Sequence, residues 1–247
     1  MIKSCYMNIL ESSTVSLTVG SQNNSCPLYR LYDRDIGRMF AGSAAAALTV
    51  NAAQLGNPVA VDSLFIPAGH NLYGMSLDIQ CSDDNVTYTS AVGGAWNQPD
   101  TGLIVKSWAA ATHRYWQLVI TNCGAAPQFA ELFLSSTYTW EKLPARPGGP
   151  FEDVFNVKAE TTASGLDHFM VFGNSKRQRI YKVVNAGATQ QANILALNAA
   201  WAGSKPFWLY DHSGVWIYGK LSKPLNLKET GAGKFEFDFD FLEVLGS

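Results

Sequence analysis

Tyr73-Gly74-Met75-Ser76-Leu77-Asp78-Ile79-Gln80-Cys81-Ser82-Asp83-Asp84-Asn85 is the stretch that decides the fold. From Met75 to Cys81 an apolar residue holds every second position, and Ser76, Asp78 and Gln80 stand between them. Side chains on a strand alternate between faces, so a period of two predicts a strand with one face buried and one wet. Asp83-Asp84-Asn85 then closes it, because short polar side chains bond their own backbone and favour turns. The same reading extends outward along the chain. Val15, Leu17 and Val19 alternate with Ser16 and Thr18, Asp62–Pro67 runs apolar until its proline, and Tyr115–Thr121 and Phe129–Ser135 read as further strands. Many short strands with no stretch of helical period predict a β-sandwich.

Leu143-Pro144-Ala145-Arg146-Pro147-Gly148-Gly149-Pro150 interrupts this pattern. Proline removes backbone donors and glycine adds backbone entropy, so such a run belongs to neither sheet nor helix. Charge density also changes across it: residues 1–143 hold 7 basic and 10 acidic side chains, residues 144–247 hold 11 and 10. The expected division is a sandwich over 1–143, a linker over 144–150 and a second module over 151–247. That module reads as β with one helix, about 190–202. Thr189 is placed to cap it, Gly203 to end it, and Ile194, Leu197 and Trp201 form one apolar stripe. Strands are expected at Arg179–Asn185, Pro206–Tyr210 and Val215–Leu221, with Asp211-His212-Ser213-Gly214 as a turn. In Lys234-Phe235-Glu236-Phe237-Asp238-Phe239-Asp240-Phe241 four phenylalanines take one face and Lys234, Glu236, Asp238 and Asp240 the other. The fold class is therefore mainly β, a sandwich plus a β module with one packed helix.

Composition removes several classes of function. The chain has 247 residues, 47% hydrophobic, 12% aromatic and 15% charged, so it buries a core and is not disordered. Eighteen basic and 20 acidic residues leave a net charge of −2, without the basic footprint that phosphate neutralisation requires; sequence-specific nucleic-acid binding is not expected. No run approaches the roughly 18 apolar residues of a membrane span, and the first residues lack a signal-peptide core. Cys5, Cys26, Cys81 and Cys123 fit neither a CxxC pair nor a zinc ribbon, and read as free thiols of a chain made in a reducing cytoplasm.

The catalytic inventory is thin, and no enzyme is expected. HExxH, GxSxG, the P-loop and GxGxxG are all absent, and Gly231-Ala232-Gly233-Lys234 is too short to cradle a phosphate. His70, His113, His168 and His212 are scattered, and no metal or cofactor is implied. Asp33-Arg34-Asp35 and Asp83-Asp84-Asn85 are oxygen-rich as calcium loops are, although polar turns have the same composition. Trp96 and Trp108 flank a stretch rich in Gly, Pro and Asn. There an indole either seals an interface or stacks on the apolar face of a sugar.

A resemblance adds to this reading. Val61-Asp62-Ser63-Leu64-Phe65-Ile66-Pro67-Ala68-Gly69-His70-Asn71-Leu72, then Ser76–Ser82 with Asp83-Asp84-Asn85, then Arg114-Tyr115-Trp116-Gln117-Leu118-Val119-Ile120, resembles a discoidin-type, galactose-binding-like jelly roll over about residues 40–135. This version is similar to domains of tailed-phage minor tail proteins. Residues 151–247, through Pro206-Phe207-Trp208-Leu209-Tyr210-Asp211 and the closing Phe-rich strand, resemble the β-plus-helix modules of tail tubes and distal tail proteins. The resemblance implies a structural protein of a phage tail tip, assembled in the host cytoplasm. It would form a three- or sixfold homo-oligomeric ring among tail-tube and tip proteins, with Glu236, Asp238 and Asp240 lining the lumen or simply a solvated face. The alternative is a carbohydrate-binding adhesin that takes a host-surface glycan at Trp96 and Trp108. A hydrolase with an unrecognised carboxylate pair is the third reading.

Overall fold

The computed structural model describes residues 2–54, 56–141, 152–154, 157–161, 167–171, 176–200, 205–211 and 214–244. They divide into two compact units, Met7–Thr137 and a discontinuous one made of Met1–Tyr6 with Tyr138–Ser247. This differs from the expected division. The first unit ends at Thr137 rather than 143, and the N-terminal residues belong with the C-terminal half. The expected linker over 144–150 lies outside the described residues.

In chain order the strands are β1 (Lys3–Cys5), β2 (Val15–Val19), β3 (Phe40–Ala41), β4 (Leu48–Gln54), β5 (Val59–Ile66), β6 (Ser76–Ser82) and β7 (Thr89–Ser90). β8 (Trp96–Asn97), β9 (Ile104–His113), β10 (Tyr115–Thr121), β11 (Gln128–Phe129), β12 (Phe133–Ser135) and β13 (Tyr138–Thr139) follow. Then come β14 (Glu152–Val154), β15 (Val157–Thr161), β16 (Asp167–Val171), β17 (Lys176–Ala186), the helix α1 (Ala188–Ala200), β18 (Phe207–Tyr210), β19 (Trp216–Leu221), β20 (Asn226–Gly231) and β21 (Lys234–Glu243).

The 7–137 unit is a β-sandwich. One sheet has the order β2-β4-β10-β6-β7 with β8 also on β6; the other has the order β12-β5-β9, and β3 pairs with β11. All pairings are antiparallel, so each strand can bury one face and wet the other. Alternation sends Leu48, Val50, Ala52, Leu77, Ile79, Cys81, Trp116, Leu118 and Ile120 into one core with Val61, Leu64 and Ile66 of the facing sheet. Burying each large side chain contributes about 1.5–3 kcal/mol. The expected strand over Phe129–Ser135 is divided in two, since β11 and β12 join different partners.

Both acidic clusters are turns. Asp84 accepts the backbone N–H groups of Val86 and Thr87 at 2.9 and 2.8 Å, while Ser82 Oγ accepts those of Asp84 and Asn85. Three hydrogen bonds to the charged form hold the Asp84 carboxyl far below the usual carboxylate range. Asp33 and Asp35 accept N–H groups two residues on. Arg34, between them at φ 63°, turns inward to Glu11 and Glu131 and lies 4.5 Å over the Phe133 ring.

The second unit is built on an eight-stranded sheet, β13-β1-β18-β19-β21-β17-β14 with β20 on β21, and β15 pairs with β16 as a separate hairpin. Phe237, Phe239 and Phe241 of β21 are buried as their alternation predicts. Helix α1 begins at Ala188, so Thr189 lies in its first turn instead of capping it, and Gly203 lies outside the described residues. The helix is seated by Ile194 and Leu197, which join the phenylalanine core. Gly219 is needed for close packing: a Cβ there would stand 2.4 Å from Phe241 Cζ and 2.6 Å from the Leu242 carbonyl. Of the expected turn at 211–214, Gly214 N–H donates to Asp211 O, and Asp211 N–H to Val215 O; His212 and Ser213 lie outside the described residues.

Candidate functional site

Trp96 and Trp108 stand at different places in the sandwich, Trp96 beside Leu77 of β6 and Trp108 against Trp116 of β10. Trp96 is not in a loop: it pairs with Leu77 on β6, which directs its ring toward the face that Leu77 buries. Across the gap between the sheets the Lys106 ammonium lies 4.7 Å from the Trp96 ring centroid. Lys106 stands two residues before Trp108 on β9, so both point to the same side of that strand.

The two indoles have different tasks. Trp108 Nε1 donates to the Val61 carbonyl at 3.0 Å, beside the bulge where β5 and β9 shift register, and its ring lies 6.1 Å from that of Trp116. It is part-buried against the core and its polar end is committed. Trp96 is part-buried against the same core, and its strand neighbours Ala95 and Asn97 are exposed. The two indoles thus differ at their polar ends: that of Trp108 is bonded, and that of Trp96 is buried without a hydrogen-bond partner among the described residues. A cation over an indole face contributes about 0.5–1 kcal/mol at exposed sites, enough to hold Lys106 in place.

The loops around Trp96 are tied down. Gly74 N–H donates to Gln98 O at 2.8 Å, and Gln98 N–H to Met75 O at 2.9 Å, which continues the β6–β8 pairing. Asp100 accepts the Gly102 N–H at 2.8 Å, and Gln98 Nε2 donates to Asp100. His70, buried, takes the Leu72 N–H on Nδ1 and therefore carries its proton on Nε2, which donates to Gly102 O at 2.8 Å. Burial keeps this imidazole below its ordinary range and so neutral. Tyr73 extends from the same braced loop with 66% of its surface exposed. The braced segment thus holds Tyr73, Trp96 and Asp100 close together along the backbone, with Lys106 over the Trp96 ring. Such a set matches a polyhydroxylated ring, with an apolar face to stack and hydroxyls to bond.

Sequence reasoning missed Lys106 and Tyr73, because which strand edges meet across a sandwich is set by register that alternation does not encode. It also missed a polar row on the outer face of the larger sheet. Thr18, Asn51, Gln117, Gln80 and Ser90 are successive Cα partners across β2, β4, β10, β6 and β7. Gln117 Nε2 donates to Gln80 Oε1 and Gln80 Nε2 to Asp78, each at 2.7 Å, and Ser90 Oγ donates to the other Asp78 oxygen at 2.6 Å.

The three acidic residues of β21 do not form a uniformly wet acidic strip. Asp238 is exposed and faces Lys182 across the sheet, and Glu236 lies 3.8 Å from Lys182 Nζ and opposite Lys228. Asp240 is 8% exposed, with Gln178 Nε2 2.6 Å from each of its oxygens. Cross-strand partners of opposite charge or complementary polarity are the reason. Among the described residues no group of three or more His, Cys, Asp and Glu side chains is gathered as a metal site.

No family model matches the chain, and no curated protein matches it. Among solved structures, it is similar to chitosan-binding module 1 derived from a chitosanase/glucanase of Paenibacillus sp. IK-5, at 17% identity and a TM-score of 0.44, over 53% of this chain and 99% of that one. It is similar also to the CBM32-5 module from Clostridium perfringens, in complex with GalNAc-β-1,3-galactose, at 12% identity and a TM-score of 0.43, over 51% of this chain and 99% of that one. A putative α-L-fucosidase from Bacteroides thetaiotaomicron matches at 14% identity and a TM-score of 0.44, over 53% of this chain but only 28% of that one.

Proposed function

We propose that the chain is a non-catalytic carbohydrate-binding protein whose 7–137 sandwich takes a glycan along the edge that carries Trp96, Lys106 and Tyr73. The observation behind this reading is the part-buried Trp96, with the Lys106 ammonium 4.7 Å from its ring and the exposed Tyr73 on the loop tied to its strand. The indole supplies an apolar platform, Lys106 supplies donors, and Asp100 supplies an acceptor. The carboxylates of the sandwich are engaged in holding turns and side chains, as Asp84, Asp100 and Asp62 are, which suits binding better than acid–base chemistry. The test is a glycan array probed with the full chain and with Trp96→Ala. Retention of one glycan class by the native chain and its loss in the variant, at unchanged melting temperature, supports the reading. Equal retention by both overturns it.

A second reading has its own supporting observation. The sandwich is inserted between β1 and β13, two paired strands of the other unit. A scaffold-forming unit that carries an inserted recognition unit suits a structural component of a bacteriophage tail tip, built as a three- or sixfold ring. Light scattering with imaging of the same fraction tests it: a closed ring supports it, and a stable monomer at high concentration overturns self-assembly into a ring.

A further inference from the structure

We infer that the outer face of the larger sandwich sheet is a second carbohydrate-binding surface, which takes a neutral oligosaccharide lying across the strands along the row Asn51–Gln117–Gln80–Ser90. It uses none of the residues of the Trp96 edge, so either site can fail alone.

Three observations carry it. The row is a continuous cross-strand ladder, since each member is the Cα partner of the next. Strands lie about 4.8 Å apart, comparable to the length of one pyranose residue, so a chain laid across them meets one amide or hydroxyl per sugar. With Thr18 included, the ladder spans roughly 19 Å.

The amides are also preset. Gln117 donates to Gln80 and Gln80 to Asp78, so these hydrogen bonds all run one way and end on the carboxylate, which Ser90 also contacts. Side chains fixed beforehand lose less freedom when a ligand arrives, and each amide keeps further donor and acceptor capacity for a pair of neighbouring hydroxyls. The one charge bonded to the row is the Asp78 carboxylate, which repels a nucleic acid or an acidic peptide and accepts hydrogen bonds, as a neutral sugar chain allows.

Finally, the row has an aromatic wall. Asn51 Nδ2 donates to the Tyr88 hydroxyl at 2.7 Å, and that hydroxyl donates to Asn85 Oδ1 at 2.6 Å. Tyr88 comes from the turn after β6, yet meets β4 two strands away, so its side chain lies across the sheet face beside the ladder. Tyr115 stands two residues before Gln117 on the same face of β10. An aromatic ring beside a line of amides gives a sugar chain both a stacking surface and hydroxyl partners.

The experiment titrates the full chain by calorimetry with glucose and with cello-, chito-, manno- and xylohexaose. It compares the native chain with Gln80→Ala/Gln117→Ala, Tyr88→Ala and Trp96→Ala. The expected result is that one hexaose binds the native chain and Trp96→Ala within about twofold of each other, while the ladder pair and Tyr88→Ala each bind it at least about tenfold more weakly, as expected when two or three hydrogen bonds or a stack are lost. Gln117→Glu keeps the size of the side chain and, if the alanine pair does not fold, gives the same comparison. The inference is overturned if no hexaose binds the native chain, if the ladder variants bind as the native chain does, or if Trp96→Ala alone removes hexaose binding. That last outcome leaves the edge reading intact.

Discussion

Trp140 Nε1 donates to Ser4 Oγ at 3.1 Å, a buried hydrogen bond between residues 136 positions apart. The same indole packs 5.2 Å from the Phe239 ring, and the backbone of Ser4 pairs with Tyr138. The two points at which the chain leaves and re-joins the second unit are therefore strand partners. An inserted unit costs its host little when its ends are already adjacent, because the host pays no added loop-closure entropy.

Replacing residues 7–137 by a short turn that joins Tyr6 to Tyr138 is expected to leave the second unit folded, while Trp140→Ala in the full chain costs that unit about 3–5 kcal/mol. Chemical denaturation followed by near-ultraviolet circular dichroism checks both. A second unit that collapses once the sandwich is removed contradicts the insertion account.

Gly219→Ala is expected to destabilise the second unit by about 1–3 kcal/mol. Its new methyl meets the Phe241 ring and, at 2.6 Å, the Leu242 carbonyl, and the backbone atom has no rotamer with which to give way. A thermal melt matching the native one would show that β19 and β21 separate freely.

Arg34→Ala is expected to cost the sandwich about 3–5 kcal/mol, since it strips a buried cation from the Glu11 and Glu131 carboxylates. The loss should reach the melting temperature without touching the sheet register. Equilibrium unfolding in urea reads it directly, and a change under about 1 kcal/mol would mean that the carboxylates find other partners.

His70 makes the sandwich sensitive to acid. Burial holds the folded imidazole below its ordinary 6.5, whereas in the unfolded chain it protonates near that value. Below about 6.5 the unfolded state binds more protons, so this contribution is complete above that pH and declines as pH falls toward the folded value. Protonation at Nδ1 would also set two donors, the new N–H and the Leu72 N–H, against each other. His70→Gln removes the titration while offering a donor to Gly102, and its melting temperature should vary less between pH 7 and pH 5. Parallel profiles for the two proteins would contradict the assignment.

What the sequence makes legible follows from where its signal is local. Alternation finds β6, β10 and β21, because the period of two is written into consecutive residues such as Leu77, Ile79 and Cys81. It cannot find β1, three residues long, whose place is fixed by Tyr138 and Trp208 far along the chain. The expected boundary at 143 fails for that reason: composition detects a break in the chain but not an insertion. Trp96 reads as a loop residue because β8 is only two residues long and its neighbours are glycines and alanine. The Gln80–Gln117 step is invisible for a further reason. Alternation says that both residues face outward, and only the register of β6 on β10 makes them partners.

The central claim is glycan binding at the Trp96 edge, and a calorimetric titration of the glycan selected on the array, into native protein and Trp96→Ala side by side, tests it most directly. The account predicts a saturable heat for the native chain and at least about a tenfold weaker one for the variant, the scale of one lost aromatic anchor. Equal affinities for two equally folded proteins would contradict it.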